Sequence, residues 1–147
     1  MPLWKIYHGP STLTREAKTT IAKGATAFYA QRGFPSWYVN VLFFELSPDN
    51  FYNGGLPKSQ TVGVEIIHIA RHWDPTNKQA AVAVKNGVDA ILGPFTTDKG
   101  LHLEFAVLEG PAELWRINGI DPPEAFGPDE QKQAEENRKI LFDQYGT

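Results

Sequence analysis

Strand, helix, strand: this order occurs twice along the chain, at an offset of about 60 residues by self-similarity, and few folds satisfy it. The first round opens with PLWKIYH, rich in aromatic and β-branched residues and so a strand. After the turn GPSTL, Thr14 is placed to cap a helix and Glu16 lies in its first turn, where the helix dipole favours an acid. Ala17, Ile21, Ala25 and Phe28 then recur at helical spacing until Gly33. SWYVNVLFFEL closes the round, apolar nearly throughout, as expected of a strand covered on both faces. A turn-rich connector, SPDNFYNGGLPKSQ, leads into the second round, in which the Gly54-Gly55 pair is a hairpin or bulge device. TVGVEIIHIA is its first strand. Asp74 caps the following helix with Pro75 at the first position, Ala81, Val84, Val88 and Ile91 form its buried stripe, and Gly93-Pro94 ends it before the strand GLHLEFAVLE. Identity between the rounds is weak, so the repeat rests on element order.

Two right-handed β-α-β crossovers give an α+β fold, a four-stranded sheet with two helices on one face. Repeat one spans about residues 2–47 and repeat two about 62–109, with a C-terminal extension over about 121–147, all in a single domain of residues 1–147. GPAELWRINGI reads as a short helix or turn and DPPEAFGP as a proline-rich connector. DEQKQAEENRKILFDQYG, acids first and bases later, suits a surface helix with Ala134, Leu141 and Tyr145 on a narrow stripe. That helix has two possible seats, its own subunit or a neighbour. The second face of the sheet has no helix to cover it. Strands this apolar would leave a large exposed patch, for which symmetric oligomerisation is the usual remedy, so a homo-oligomer is expected.

Composition removes several function classes. At 147 residues, 41% hydrophobic and 21% charged, the chain can bury roughly 70% of its unfolded surface as an ordinary globular protein. It has no apolar run long enough to span a membrane and no signal-peptide pattern, so a cytoplasmic protein without membrane partners is expected. A net charge of −3 with scattered basic residues gives no footprint for nucleic acid. The absence of cysteine removes disulfides, thiolate catalysis and zinc-cysteine sites, and His8, His68, His72 and His102 are too dispersed for a metal site. No metal and no cofactor is expected.

What remains is the Met-Pro start. With Met1 removed, Pro2 carries a free secondary amine on a rigid ring, a titratable base; with Met1 retained, that nitrogen is an amide and only begins a strand. A chain that begins this way, runs directly into a strand and repeats β-α-β resembles the tautomerase superfamily. Within it, PLWKIYHGPSTLTREAKTTIAKG, the NFYNGG turn and the HIAR closing the third strand are most similar to the fungal relatives of cis-3-chloroacrylic acid dehalogenase, over about residues 2–120. The resemblance implies a homotrimer with a barrel-like core and the terminal proline in an apolar pocket at a subunit interface. An amine buried in such a pocket loses basicity because its charged form is disfavoured, which leaves Pro2 free to act as general base or acid on a small enol or 2-oxo acid.

The resemblance also assigns partners to Pro2. Arg71, in HIAR, matches the first of the dehalogenase's two substrate-binding arginines, whose bidentate fork suits a carboxylate. The second falls at Asp74, the dehalogenase's histidine at Tyr29, its water-activating glutamate near Ile117 and its tyrosine around Glu104 to Ala106. Arg116 is the candidate replacement cation, Asn118 a candidate to hold a carbonyl, and Tyr29 a candidate orienting group. Plainer readings stand beside these: Arg71 in a salt bridge, Tyr29 closing the helix's buried stripe, Trp115 as packing. The expected function is a cofactor-independent, tautomerase-like enzyme acting on a small carboxylic acid. The alternatives are a cis-3-chloroacrylate dehalogenase or hydratase, weakened by the missing glutamate, and a catalytically inactive trimeric binding protein.

Overall fold

The computed structural model describes residues 1–69, 74–121 and 129–145. Its elements in chain order are β1 (Pro2–His8), α1 (Arg15–Ala30), β2 (Asn40–Glu45), the short hairpin β3 (Tyr52–Asn53) and β4 (Leu56–Pro57), β5 (Thr61–His68), α2 (Lys78–Leu92), β6 (His102–Glu109) and α3 (Glu130–Tyr145). The four long strands form one sheet in the order β2-β1-β5-β6. β1 runs parallel to β2 and β5 parallel to β6, as a helical crossover requires, while β1 and β5 meet antiparallel at the centre. The α+β architecture expected of two β-α-β rounds is therefore present, with the two units joined back to back.

Local chemistry accounts for most of the boundaries. The Thr14 hydroxyl accepts a hydrogen bond from the Ala17 N–H at 3.1 Å and starts α1. The buried stripe of α1 is Ala17, Ile21, Ala25 and Tyr29; Phe28 is only half-buried. Phe28 lies instead between the helices. A Cβ at Gly87 of α2 would collide with its ring, so glycine is what lets α2 approach α1 there.

Two boundaries and the burial of two elements differ from the expectation. In SWYVNVLFFEL, Ser36–Tyr38 form a 3-10 turn and the strand begins only at Asn40. The strand is also covered on one face rather than two, with Leu42 and Phe44 exposed on the other. Asp74 does not cap α2: its carboxylate accepts from the Thr76 N–H at 2.9 Å and hydroxyl at 2.6 Å, a local Asx turn, and Asn77 caps the helix by accepting from the Ala80 N–H at 3.0 Å. Of the stripe expected on α2, Val88 is buried and Ala81, Val84 and Ile91 are half-buried, with Leu92 completing the buried set.

Trp4 and Ile6 of β1, Val62, Val64 and Ile66 of β5, Ile21 and Tyr29 of α1 and Leu92 of α2 form the middle of the core. On the helix-free face, Leu3, Ile67 and Leu108 lie in one row across β1, β5 and β6, and Tyr7 stacks on Phe44 at 5.1 Å between ring centres. Lys5 and Glu65 break this apolar surface with an ion pair at 3.3 Å. α3 packs on its own chain. Ala134 is 1% exposed, and the Gln131 side-chain amide donates to the Gly33 carbonyl beyond the end of α1. Among the described residues, no helix is long and apolar enough to cross a membrane.

Candidate functional site

β1 is an interior strand, and proline has no N–H to give a ladder, so an interior strand accepts it most readily as its first residue. Pro2 occupies that place and is fully buried. Its partner across the ladder is His68 at the end of β5, and the partner of His68 is Glu109 at the end of β6. Paired residues project to the same side of a sheet, so Pro2, His68 and Glu109 form a row on the helix-covered face.

Met1 is clasped against this row from both sides. Its amine donates to the Ile69 carbonyl, and the Ile69 N–H donates back to the Met1 carbonyl at 3.2 Å. Burial pushes the amine down to about 5 because the ammonium form loses its hydration, while the negative charge of Glu130 pulls the other way. His68 is shaped by the same surroundings. Tyr29 stacks on its imidazole at 5.7 Å and 27°, and Phe34 meets it at 6.3 Å. Burial lowers its pKa below the ordinary imidazole value, the nearby terminal amine lowers it further, and Glu109 opposes both. A neutral imidazole beside a neutral amine is the state these causes favour at neutral pH.

Two tyrosines are buried, and one of them, Tyr29, meets His68 of the row. Burial raises the Tyr29 phenol above its usual range, opposed first by the Trp4 indole N–H and then by Arg32. The Trp4 N–H acts on that oxygen as a dipole without reaching hydrogen-bond geometry, and it has no hydrogen-bond partner among the described residues. Tyr38 is pushed up to about 12, by burial first and Glu130 second. Its buried hydroxyl likewise has no hydrogen-bond partner among the described residues, and its ring meets Trp115 edge-on at 4.9 Å. Beside the row, a cleft of about 400 Å³ opens between Ala81, Val84 and Lys85 of α2 and Phe105, Val107, Leu108 and Glu109 of β6, closing on His68. Its walls are mainly apolar, with one cation, one carboxylate and one imidazole, a lining suited to a small polar molecule with an apolar body.

The residues singled out from the sequence divide. Pro2 and Tyr29 come together around His68. Arg71 lies outside the described residues. Arg116 is 63% exposed and its guanidinium forks onto Asp121 at 2.7 and 3.0 Å, which lowers the Asp121 carboxyl and raises Arg116. Asn118, at φ 47°, and Gly119, at φ 81°, make the left-handed pair of a tight two-residue turn closed by Ile117 and Ile120. Among the described residues, neither Arg116 nor Asn118 hydrogen-bonds to Pro2, Tyr29 or His68. His68, Lys85, Glu109 and Glu130 were not singled out. For His68 a signal existed: it is in phase with Val62, Val64 and Ile66, the buried side of its strand. No group of three metal-ligating side chains occurs among the described residues.

Comparison with known proteins adds to this geometry. Residues 1–138 match the family model described as putative oxalocrotonate tautomerase enzyme. The chain is similar to a probable enzyme of the thermophilic fungus Aspergillus fumigatus, with 37% identity, TM-score 0.82, and 93% of this chain and 94% of that one covered. It is also similar to RhCC of Rhodococcus jostii RHA1, with 28% identity, TM-score 0.83 and coverage of 92% and 96%. N1, a member of the cis-3-chloroacrylic acid dehalogenase family, shares the fold at TM-score 0.70 with 18% identity over 96% of this chain and 99% of that one. No curated protein matches the sequence.

Proposed function

Because the chain belongs to the putative oxalocrotonate tautomerase family, we propose that it is a cofactor-independent tautomerase in which Pro2, freed of Met1, moves a proton between oxygen and carbon of a small enol or 2-oxo acid. The observation that carries this reading is the fully buried Pro2 at the head of an interior strand, where burial holds the terminal amine at about 5 with Met1 in place. The same desolvation acts on the proline amine once Met1 is gone, so it is a neutral base at neutral pH. Its lone pair takes the enol O–H proton, the carbonyl forms as the alkene electrons move to carbon, and the proton is delivered to that carbon.

Loss of Met1 also frees the Ile69 N–H, which now holds the Met1 carbonyl beside the Pro2 nitrogen. In the proposed enzyme a substrate oxygen takes that donor. Tyr29 and neutral His68 stack beside this end of the sheet, Arg71, which follows β5 in the sequence, is the proposed anchor of the carboxylate, and Lys85 offers a further cation at the cleft. The Arg116 fork is already filled by Asp121 and Asn118 is set in its turn, so both stand behind Arg71 as candidates for substrate contact. Hydration or dehalogenation requires a base for water. Ile117, at the position implied for that glutamate, is apolar and pinned in its hairpin, which favours isomerisation. Processed protein, with loss of Met1 checked by intact mass, is expected to turn over phenylenolpyruvate and not 3-chloroacrylate. The acid limb of kcat/KM should lie well below the ordinary α-amine range of about 7.7 to 8.0. A limb at that ordinary value would remove the desolvated base, and turnover of 3-chloroacrylate alone would favour the dehalogenase.

The chain is further proposed to work as a homotrimer. The exposed apolar face of Leu42, Phe44 and Leu108 supports self-association, as does the shared fold of a fused 4-OT described as an asymmetric trimer, at TM-score 0.61 and 20% identity over 81% of this chain and 94% of that one. Sedimentation equilibrium at micromolar concentration should give about three times the chain mass. A monomer with no concentration dependence would overturn the trimer.

A further inference from the structure

We propose that the cleft between α2 and β6 is the subsite for the body of the substrate, and that it selects an enol or 2-oxo acid carrying an aryl-sized apolar group on the carbon that exchanges the proton. The proposal rests on the proton-transfer role of Pro2 argued above, and its test separates the two.

The cleft is a gap in otherwise close packing. Ile66 of β5 is 1% exposed, whereas Val107 of β6, its partner across the ladder and on the same face, is 40% exposed. Burial falls off along β6 in one direction: Leu103 and Phe105 are half-buried and pack against the core, and Val107, two residues further on, is open. α2 has the complementary defect, since Ala81 and Val84 of its apolar stripe are half-buried while Val88, one turn on, is sealed. The seat of α2 accounts for both. Gly87 against the Phe28 ring and Ile91 against Gly24 fix the second half of the helix on α1, and the first half stands off the end of β6. Apolar side chains facing a space of about 400 Å³ lack the dispersion contacts of a packed interior, and an apolar guest supplies them.

The gap lies where the reaction needs it. Pro2 pairs with His68 and His68 with Glu109, and His68 closes the cleft, so its closed end is one strand spacing, about 4.8 Å, from the strand of Pro2. A group bonded to the carbon that meets Pro2 has that distance to cross. A phenyl ring or branched alkyl chain reaches past the imidazole to the space between Val84 and Val107, and a hydrogen atom does not. The walls set the chemistry of the group. Ala81, Val84, Phe105 and Val107 are apolar, whereas Lys85 and Glu109 bring one charge of each sign, so a second carboxylate gains at one and loses at the other.

Two measurements test the subsite, both on full-length protein shown by mass to have lost Met1. The first adds 3-phenylpropanoate, which has the ring and the carboxylate but no enol, to protein with methyl-labelled valine. A ring in the cleft should shift the Val84 and Val107 methyl signals by its ring current, and propanoate, which lacks the ring, should not. The second uses Val107→Trp, which fills the cleft from a half-open position on an edge strand, where an aromatic side chain suits the backbone. The preference in kcat/KM for phenylenolpyruvate over 2-hydroxyacrylate, the same enol acid without the ring, should fall at least about tenfold, chiefly through KM for the former. Equal losses for the two enols would overturn the subsite. So would methyl signals unmoved by millimolar 3-phenylpropanoate, or signals that follow protein concentration and ignore the ligand, the behaviour of a cleft covered by a second copy of the chain. If Val107→Trp does not fold, the methyl signals of the unmutated protein decide. Ring-current shifts with no turnover of either enol would support the subsite and sink the tautomerase reading alone.

Discussion

In protein that has lost Met1, Pro2→Ala is expected to lower kcat for phenylenolpyruvate by roughly 10²- to 10⁴-fold, the usual contribution of a positioned general base, with little change in KM. The substitution leaves a primary amine, so basicity is changed rather than abolished. What is lost is position. The pyrrolidine ring is fully buried at the head of β1 and holds the nitrogen without rotamer freedom, whereas an alanine amine at the start of the strand turns freely. Steady-state kinetics on mass-checked protein read the split between kcat and KM. The control is the Met1-retaining form, whose proline nitrogen is an amide and which should match the knockout. Equal turnover by the retained and processed forms would end the proposed mechanism, leaving Pro2 as the start of a strand.

Trp4→Ala should have the largest effect on stability. Trp4 is 0% exposed on the interior strand, between Val41 of β2 and Ile66 of β5, and it also lies against Tyr29 and hence the wall behind His68. Truncating a buried tryptophan to alanine costs about 3 to 5 kcal/mol, a large share of a typical domain's total stability. Denaturant unfolding should show the midpoint falling with the slope preserved. Trp4→Phe should cost far less, under about 1.5 kcal/mol, because it keeps most of the ring volume and removes an indole N–H that has no hydrogen-bond partner among the described residues. Equal losses from the two substitutions would mean that the N–H, and not the packing, holds the site together.

Much of the scaffold was legible because its signals are local. The alternation of Pro2, Trp4, Ile6 and His8 and the four-residue recurrence from Ala17 to Ala25 place β1 and α1 without reference to the rest of the chain. Asp74 misled because Asp-Pro supports two local solutions, a helix cap and an Asx turn, and the hydroxyl and N–H of Thr76 select the second. Trp37 and Tyr38 were assigned to a strand because their apolar character was visible but its destination was not; Tyr38 packs against Trp115, far along the chain. The site was less legible than the scaffold for the same reason. Aligning Pro2, His68 and Glu109 requires the register of three strands, and the burial of Glu130 depends on where α3 docks. The resemblance to the dehalogenase led to Arg71, Arg116 and Asn118, of which the first lies outside the described residues and the other two are engaged in a surface ion pair and a turn.

The clasp between Met1 and Ile69 bears on when the proposed loss of Met1 can take place. An aminopeptidase must draw the first residue into its own cleft, and in the folded chain that residue is half-buried, tied by both its amine and its carbonyl to a segment 68 positions downstream. Excision after folding has to wait for the start of β1 to fray from the end of β5, a rare opening at the middle of a sheet. Excision before β5 leaves the ribosome meets no such barrier. The proposed trimming of a single residue is thus a race between a processing enzyme and strand pairing, and fast folding or scarce peptidase during overexpression would fill a preparation with well-folded chains that have an amide in place of the proposed base.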